Sequence, residues 1–244
     1  MTPEVSKPTA SASFLHRVLD RCRLEYERRV LRSFGLNRMD VKLRPFLDFD
    51  AGTFVEAGAF DGVAQSNTMY LERYRGWRGL LIEPVPEHAE ACRRNRPRSH
   101  VEEAALVSFD FPDDFVQLRA CSLMSVVRGG MKSEEEENAH VATASELLRL
   151  VPRDVRARAR PLSAILNQCG ITDVDFLSLD VEGFELSALR GLDLTLHRPA
   201  LMLIEARYRE DIDAYLARAD YEPIAQLSEL DVLYRRREPA HRSA

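Results

Sequence analysis

Acidic side chains end several apolar runs in this 244-residue sequence. Glu56 lies in the loop sequence EAGAFDG at 56–62, and Glu83, Asp180 and Glu205 each end a later apolar run. Carboxylates can accept ligand hydroxyls, remove a proton or bind a cation. If these runs are parallel strands, their carboxyl ends meet at one crevice, which is where such sheets bind ligands.

The loop at 56–62 has the small residues of a nucleotide-binding turn. Gly58 and Ala59 let the backbone approach a ligand, and a helix begins behind them. The full GxGxxG pattern is absent, and Glu56 and Asp61 would place two carboxylates beside a pyrophosphate, which is costly. The loop therefore disfavours NAD and FAD. It suits S-adenosylmethionine, which carries a sulfonium and an ammonium and has no phosphate.

Glu83 directly follows four apolar residues and precedes Pro84. A carboxylate at the end of the second strand can accept both hydroxyls of an adenosine ribose, in any nucleotide class. This position favours an adenosine-containing ligand over the alternative of a surface carboxylate before a turn.

The block DVEGFE at 180–185 follows the most continuous apolar run. Helix capping alone explains Glu185, because acidic residues are common in the first turn of a helix. Asp180 should face the crevice and is the candidate general base or ligand, assisted by Glu182 or Glu205, with His140 as the next candidate base. Mg²⁺ is an alternative that fits oxygen ligands, but no dedicated ligand spacing is present, so metal-free base catalysis is favoured and no metal ligands are assigned.

Apolar periodicity indicates alternating strands and helices, and therefore an α/β fold with a mostly parallel, doubly wound sheet and an antiparallel terminal strand. Strands are predicted at Thr53–Ala57, 79–83, 100–107, 174–180 and 200–205, with a terminal antiparallel pair within 222–235. Helices are predicted at 66–74, 87–95, Glu185–Arg190 and 211–219.

Three other segments complete the predicted organisation. Residues 1–13 are expected to be disordered and 14–49 to form a helical extension, with an amphipathic helix at 14–34. Residues 50–244 form the main domain. The insertion at 122–160 breaks the βα rhythm and is either a lid or substrate loop or an idle solvated loop. Within it, the basic stretch at 149–160 is interpreted as a solvated helix face.

The amino-acid composition limits the kinds of partner and the cellular compartment that we expect. The formal charge of −5 argues against a nucleic-acid partner, because phosphates require a basic surface. Four scattered cysteines and six histidines show no metal-ligand spacing and suit a reducing compartment. No apolar run has membrane-spanning length and the first residues lack a signal-peptide core, so we expect a cytoplasmic protein without a membrane partner.

Three blocks together resemble the FkbM-type methyltransferases. They are FVEAGAFDG at 54–62 followed by Ser66-Asn67, GWRGLLIEP at 76–84, and DFLSLDVEGFE at 175–185. The resemblance covers roughly residues 50 to 235, in the family's order and spacing. It implies a Rossmann-like class I methyltransferase fold, S-adenosylmethionine as cofactor and O-methylation of a hydroxyl on a sugar or natural-product acceptor.

The resemblance also assigns the cofactor-binding residues. Glu56, Gly58, Ala59 and Asp61 should border the methionine end, with Ser66 and Asn67 near its carboxylate. Glu83 and Pro84 should border the ribose, Ala104 or Ala105 the adenine, and Asp180 the reacting methyl group.

Two alternative functions remain open at this stage. One is a catalytically silent module that binds S-adenosylmethionine, and the other is an NAD-dependent oxidoreductase or epimerase. The acceptor is expected to be a small molecule or saccharide, and the sequence leaves a homodimer open.

Overall fold

The protein is described here by a computed structural model, which covers residue 30 and residues 32–237. The predicted disordered segment 1–13 and nearly all of the predicted helix at 14–34 lie outside the described residues. The first described elements are a 3-10 turn at Leu36–Arg38 and helix α1 at Met39–Leu43. Helix α1 buries Met39 and Leu43 in the core.

A seven-stranded sheet forms the centre of the molecule. Its strands are β1 (Thr53–Ala57), β2 (Arg78–Ile82), β3 (His100–Glu102), β8 (Phe176–Leu179), β9 (Leu201–Glu205), β10 (Tyr221–Gln226) and β11 (Asp231–Arg236), and their spatial order is β10-β11-β9-β8-β1-β2-β3. The pairs from β3 to β9 are parallel, whereas β11 is antiparallel to both of its neighbours. This confirms the predicted mostly parallel sheet with an antiparallel terminal strand.

Helices cover both faces of this sheet, as the doubly wound prediction requires. They are α2 (Met69–Arg75), α3 (Pro86–Asn95), α5 (Leu162–Cys169), α6 (Glu185–Arg190) and α7 (Arg209–Arg218). Strand residues alternate between two cores: Val55 and Ala57 pack with α5, α6 and α7, whereas Phe54 packs with α1, α2 and α3. All four residues of β8 are buried, which explains why this strand is apolar at every position.

The order of the strands determines where the ligand-binding crevice lies. From β1 the chain continues to β2 and β3 on one side, and it later returns as β8 on the other side of β1. The connections after β1 and β8 therefore diverge, and a cleft opens at the carboxyl ends of these two strands.

A second, four-stranded sheet lies beside the first and was not predicted. It comprises β4 (Ala105–Leu106), β5 (Phe115–Ala120), β6 (Val126–Val127) and β7 (Arg153–Arg160), in the order β4-β7-β5-β6. Helix α4 (Glu134–Leu148) connects β6 to β7. The insertion at 122–160 is therefore largely folded into a helix and strands.

Two interpretations of local sequence are wrong. The basic stretch at 149–160 is not a helix face, because Val155 and Ala157 are buried at a spacing of two and the intervening arginines are exposed, as in a strand. The single strand predicted at 100–107 is split between β3 in one sheet and β4 in the other.

The remaining boundaries shift by a few residues. Helix α2 begins at Met69 rather than at Ser66, because the side chains of Ser66 and Thr68 and the backbone N–H of Asn67 all donate to Glu56. Helix α6 has the predicted bounds. None of the helices in the described part of the chain combines the length and apolarity needed to cross a membrane.

Candidate functional site

The cleft at the carboxyl ends of β1, β2, β8 and β9 collects most of the predicted site residues. Those that line it are Glu56, Gly58, Ala59, Ser66, Asn67, Glu83, Pro84, Ala104, Ala105, Asp180, Glu182 and Glu205. Among the described residues, two predicted site residues do not line it, namely Asp61 and His140. The topology explains this convergence, because parallel strands bring distant segments to one edge of the sheet.

Gly58 has a positive φ of 81° and follows β1 directly. A Cβ atom built at this position would lie 1.8 Å from the backbone oxygen of Asp180. Glycine is therefore required by the close approach of the two loops that form the floor of the cleft, in addition to any approach by a ligand.

Glu56 organises the loop that follows β1. Its carboxylate accepts hydrogen bonds from the Ser66 hydroxyl at 2.8 Å, the Asn67 N–H at 2.7 Å and the Thr68 hydroxyl at 2.7 Å. With three donors already bound, this carboxylate shapes the wall of the cleft and has little capacity left for a ligand.

The fully buried Arg96 supports the same loop from behind. Its guanidinium donates to the Gly62 carbonyl oxygen at 2.8 Å, to the Thr68 hydroxyl at 3.0 Å and to Glu72 at 2.7 Å. Asp61 also has a local role, because its Oδ1 accepts the backbone N–H groups of Val63 and Ala64.

Glu83 is buried in the wall of the cleft beyond β2. One of its oxygens accepts the N–H of Phe60 and the other accepts the N–H of Val85, each at 2.9 Å. These bonds fix the orientation of the carboxylate. Each oxygen keeps a further lone pair, so Glu83 can still accept two hydroxyl groups from a ligand.

Three carboxylates form a cluster on the opposite side of the cleft. Asp180 follows β8, Glu182 lies two residues later, and Glu205 ends β9, and one oxygen from each lies within 4.8 Å of the others. Glu182 adopts a positive φ of 55°, a strained conformation for a non-glycine residue that is common at functional sites.

Burial and mutual repulsion raise the pKa values in this cluster. Desolvation and the neighbouring Glu205 raise the pKa of Asp180 well above its usual range, and they raise the pKa of Glu182 to about 8. Asp180 is accessible to solvent through the cleft, but protein atoms crowd around it, which is why desolvation is the larger effect. Carboxyl groups with pKa values near neutrality are suited to proton transfer.

Arg207 and His140 border this cluster. Arg207 lies 3.1 Å from Glu182 and 3.6 Å from Glu205. The Nε2 of His140 lies 3.1 Å from the Met124 carbonyl oxygen and 3.5 Å from Glu182. Burial lowers the pKa of His140, so its Nε2–H donates to the carbonyl group and is poorly placed to remove a proton from a ligand in the cleft.

The sequence reasoning missed several residues that line the cleft. They are Leu36, Asn37, Met39, Leu118, Ser122, Leu123, Ser125, Val127, Phe184 and Asp231, among others. Asp231 could have been predicted from the topology. It is the first residue of β11, and because β11 runs antiparallel to β9, it lies beside the carboxyl end of β9. The cleft-lining residues in and next to the second sheet could not be predicted in this way, since apolar and small side chains are also found throughout hydrophobic cores.

The cleft has the chemistry to hold S-adenosylmethionine. Ala104, Ala105 and Leu106 supply an apolar wall suited to adenine, and Glu83 can accept the ribose hydroxyls. The buried Oδ1 of Asn67 has no hydrogen-bond partner among the described residues and can accept a ligand ammonium group. The carboxylates that line the cleft suit the positive sulfonium.

The solved structures with a distant similarity to this chain include two methyltransferases. The chain is 12% identical to a TehB-like SAM-dependent methyltransferase from Corynebacterium glutamicum, with a TM-score of 0.44, over 91% of this chain and 99% of that chain. It is 14% identical to the 1,6-didemethyltoxoflavin-N1-methyltransferase of Burkholderia thailandensis, with a TM-score of 0.39, over 96% of this chain and 94% of that chain. A search of curated proteins gives no significant match.

The family comparison is decisive. Residues 56–223, more than half of the chain, match the family described as methyltransferase FkbM domain. The match contains the loop after β1, the end of β2 and the DVEGFE block, which are the segments that form the cleft. It confirms the predicted family and S-adenosylmethionine as its cofactor, and it decides against an NAD-dependent oxidoreductase or epimerase. The chain belongs to the FkbM family of methyltransferases.

Proposed function

We propose that this protein transfers the methyl group of S-adenosylmethionine to a hydroxyl of a small-molecule acceptor, such as a sugar or natural product, in the cytoplasm. The observation that carries the proposal is the carboxylate cluster of Asp180, Glu182 and Glu205 in the same cleft as Glu83. An alcohol needs a base to lose its proton as it becomes a nucleophile, and this cluster provides one at the end of β8.

One side of the cleft binds the cofactor and the other binds the acceptor. Glu83 and the loop after β1 bind and orient the cofactor, which supplies an electrophilic methyl group when bound. The walls of the cleft would hold the acceptor hydroxyl beside the methyl group, since positioning is the main requirement of such a transfer.

Asp180 accepts the proton of the acceptor hydroxyl. Its raised pKa makes it a stronger base than an ordinary carboxylate. A positive charge in the cleft favours the ionised form of Asp180, which is the form that accepts a proton. Glu182 and Glu205 lie beside Asp180 and assist by sharing protons with it.

The insertion adds to the acceptor side of the cleft, beside Asp180, Glu182 and Glu205. Ser122, Leu123, Ser125 and Val127 line the cleft and belong to the insertion. A wall that mixes hydroxyls with apolar side chains fits a partly apolar, hydroxylated molecule.

Two measurements test the proposal. Calorimetry should show saturable binding of S-adenosylmethionine and its demethylated product, and no binding of NAD. A screen of hydroxylated sugars and natural products should then reveal acceptor-dependent release of the demethylated product. Cofactor binding without any acceptor turnover would support a catalytically silent module, and transfer that EDTA abolishes and Mg²⁺ restores would contradict metal-free base catalysis.

A further inference from the structure

A short segment that precedes the family domain reaches the cleft. Leu36, Asn37 and Met39 line the cleft together with Gly58, although they lie ahead of the matched residues 56–223. We call residues 33–38, which lead into α1, the strap. The cleft therefore has a wall that the family match does not contain.

A buried carboxylate holds the strap in place. Asp40 is 3% exposed and accepts the Ser33 hydroxyl at 2.6 Å, the Phe34 N–H at 3.1 Å and the Gly35 N–H at 3.2 Å. Two residues further on, Asn37 has a positive φ of 48°, a conformation that is uncommon for a non-glycine residue and is found at many functional sites. The fold therefore fixes the backbone of Asn37 at the edge of the cleft.

The strap lies against the loop after β1, at one end of the cleft. Gly35 forms a parallel bridge with Gln65, and a Cβ atom built at Gly35 would lie 3.0 Å from Oδ1 of Asn67. The amide of Asn67 donates to the Ser178 hydroxyl in β8 at 3.0 Å. The strap thus borders the β8 side, whereas Glu83 lies beyond β2 on the other side of β1. With the ribose at Glu83, the amino-acid group of the cofactor extends toward the strap.

The amino-acid group carries a carboxylate, which needs hydrogen-bond donors when it leaves water. Within the described part of the chain, no lysine, arginine or histidine lines the cleft, and the Ser66 hydroxyl already donates to Glu56. The side chains of Asn37 and Gln65 also line the cleft, and neither amide has a hydrogen-bond partner among the described residues. Each amide nitrogen has two N–H groups to donate.

Resting on the cofactor of the proposed function, we infer that Asn37 and Gln65 bind the carboxylate in the amino-acid group of S-adenosylmethionine. The carboxylate lies between the strap and the loop after β1, where both amides donate to it, and the adjacent ammonium lies against Oδ1 of Asn67. The strap therefore completes the cofactor site, and the residues of the family match hold only part of it.

The experiment compares two ligands by calorimetry on the full chain. One is the demethylated cofactor, and the other is its decarboxylated analogue, which keeps the ammonium and the adenosine. The variant Asn37→Asp tolerates the same positive φ and sets a negative charge against the carboxylate. It should weaken binding of the demethylated cofactor at least about tenfold and should not weaken binding of the decarboxylated analogue. Gln65→Glu should have the same selective effect.

Two further variants separate the amide from other effects. Asn37→Gly removes the amide without adding charge and should weaken only the demethylated cofactor, by about fivefold. Gln117→Glu makes the same charge change on the exposed face of β5 and should alter neither affinity.

The outcomes that overturn the inference differ from failure of the proposed function. Equal weakening of both ligands in Asn37→Asp would show that the strap does not recognise the carboxylate, and unchanged affinity for both would remove Asn37 from the site. A wild-type protein that binds neither ligand would contradict the proposed function as well.

Discussion

The two sides of the cleft use the same type of side chain for opposite purposes. On the cofactor side, the carboxylates of Glu56 and Glu83 are buried and held by hydroxyl and backbone donors of the chain. On the acceptor side, Asp180, Glu182 and Glu205 crowd together, and burial and repulsion raise their pKa values. A carboxylate nearly saturated with donors, such as Glu56, is a structural element, and Glu83 is oriented by its two donors to accept ligand hydroxyls. A carboxylate that lacks such donors is available for proton transfer.

This difference also separates stability from function. The loop after β1 gains stability from each bond that Glu56 makes. The acceptor side is destabilised by its like charges and by the positive φ of Glu182. Such costs are typical of functional sites, because the groups are arranged for a ligand that arrives later.

The substitution Asp180→Asn tests the acceptor side most directly. It removes the proposed base and preserves the shape of the side chain, so turnover should fall by about 10²–10⁴-fold while cofactor affinity stays nearly intact. Steady-state kinetics with an identified acceptor and calorimetry with S-adenosylmethionine measure the two quantities. Wild-type turnover in this variant would place the base elsewhere in the cleft.

The burial of Glu185, which lies next to the acidic cluster in the chain, should appear in the pH dependence of stability. Burial raises the pKa of Glu185 to about 7, and one of its oxygens accepts the N–H groups of Val181 and Gly183. Because the folded state holds this proton more tightly than the unfolded state, stability falls as pH rises from about 4.5 to about 7. The total loss from this group is up to about 3 kcal/mol.

The variant Glu185→Gln resembles the protonated form at every pH. It should match the wild type in free energy of unfolding near pH 5 and exceed it by about 2–3 kcal/mol near pH 8, measured by urea denaturation without ligands. Glu210→Gln, at an exposed site, should leave the wild-type pH profile unchanged. Parallel profiles for the wild type and Glu185→Gln would show that burial does not raise the pKa of Glu185.

On the cofactor side the expected effect is smaller and confined to binding. Glu83→Ala should weaken S-adenosylmethionine binding by about 1.5–3 kcal/mol, because a charge-assisted contact with the ribose is lost. Calorimetry measures the affinity, with Glu90→Gln on the exposed side of α3 as the control. Glu83→Gln, which keeps one acceptor oxygen, should lie between the wild type and Glu83→Ala. Unchanged affinity in Glu83→Ala would remove this carboxylate from the cofactor site.

The same contrast explains what the sequence could predict. Short apolar runs that end in a carboxylate revealed the positions of Glu83, Asp180 and Glu205, because strand direction in a parallel sheet fixes where such residues meet. The hydrogen bonds that saturate Glu56 could not be predicted, since they depend on how the turn at 62–68 folds back. The raised pKa values depend on burial, which a sequence does not display.

The second sheet escaped prediction for a different reason. Strand β5 alternates buried and exposed residues, but it lies in a stretch that the family blocks do not cover. In β7 the exposed positions are three arginines and Asp154. A basic stretch resembles a solvated helix face unless its period of two is recognised. The residues of 122–127 that line the cleft come just after β5 in the chain, so they were overlooked together with this sheet.

The smallest predicted effect concerns the insertion. It tests whether the insertion, which lies on the acceptor side of the cleft, moves when ligands bind. Strand β7 of the insertion is paired along its length with β5, and the segment before α4 is tied to the main domain by the bond from the backbone N–H of Lys132 to the Tyr208 hydroxyl at 3.0 Å and the ion pair of Lys132 with Asp211 at 3.2 Å. At the far end of α4, the side chains of Leu147 and Val151 are 70% and 88% exposed. Segments held by few contacts open more readily than the core.

Thermolysin cleaves beside large apolar residues and should therefore cut first between residues 147 and 151. If the insertion closes over bound ligands, cleavage there should slow by about threefold or more when the demethylated cofactor and an acceptor are both present, because ligands that bind the closed form reduce the open population. Cleavage beside Leu196, which is 58% exposed and lies outside the insertion, provides the internal reference and should not change. A ligand-dependent slowing confined to the insertion supports a lid. Equal slowing at both positions would instead indicate general stabilisation, and equal rates with and without ligands would make the insertion a rigid wall.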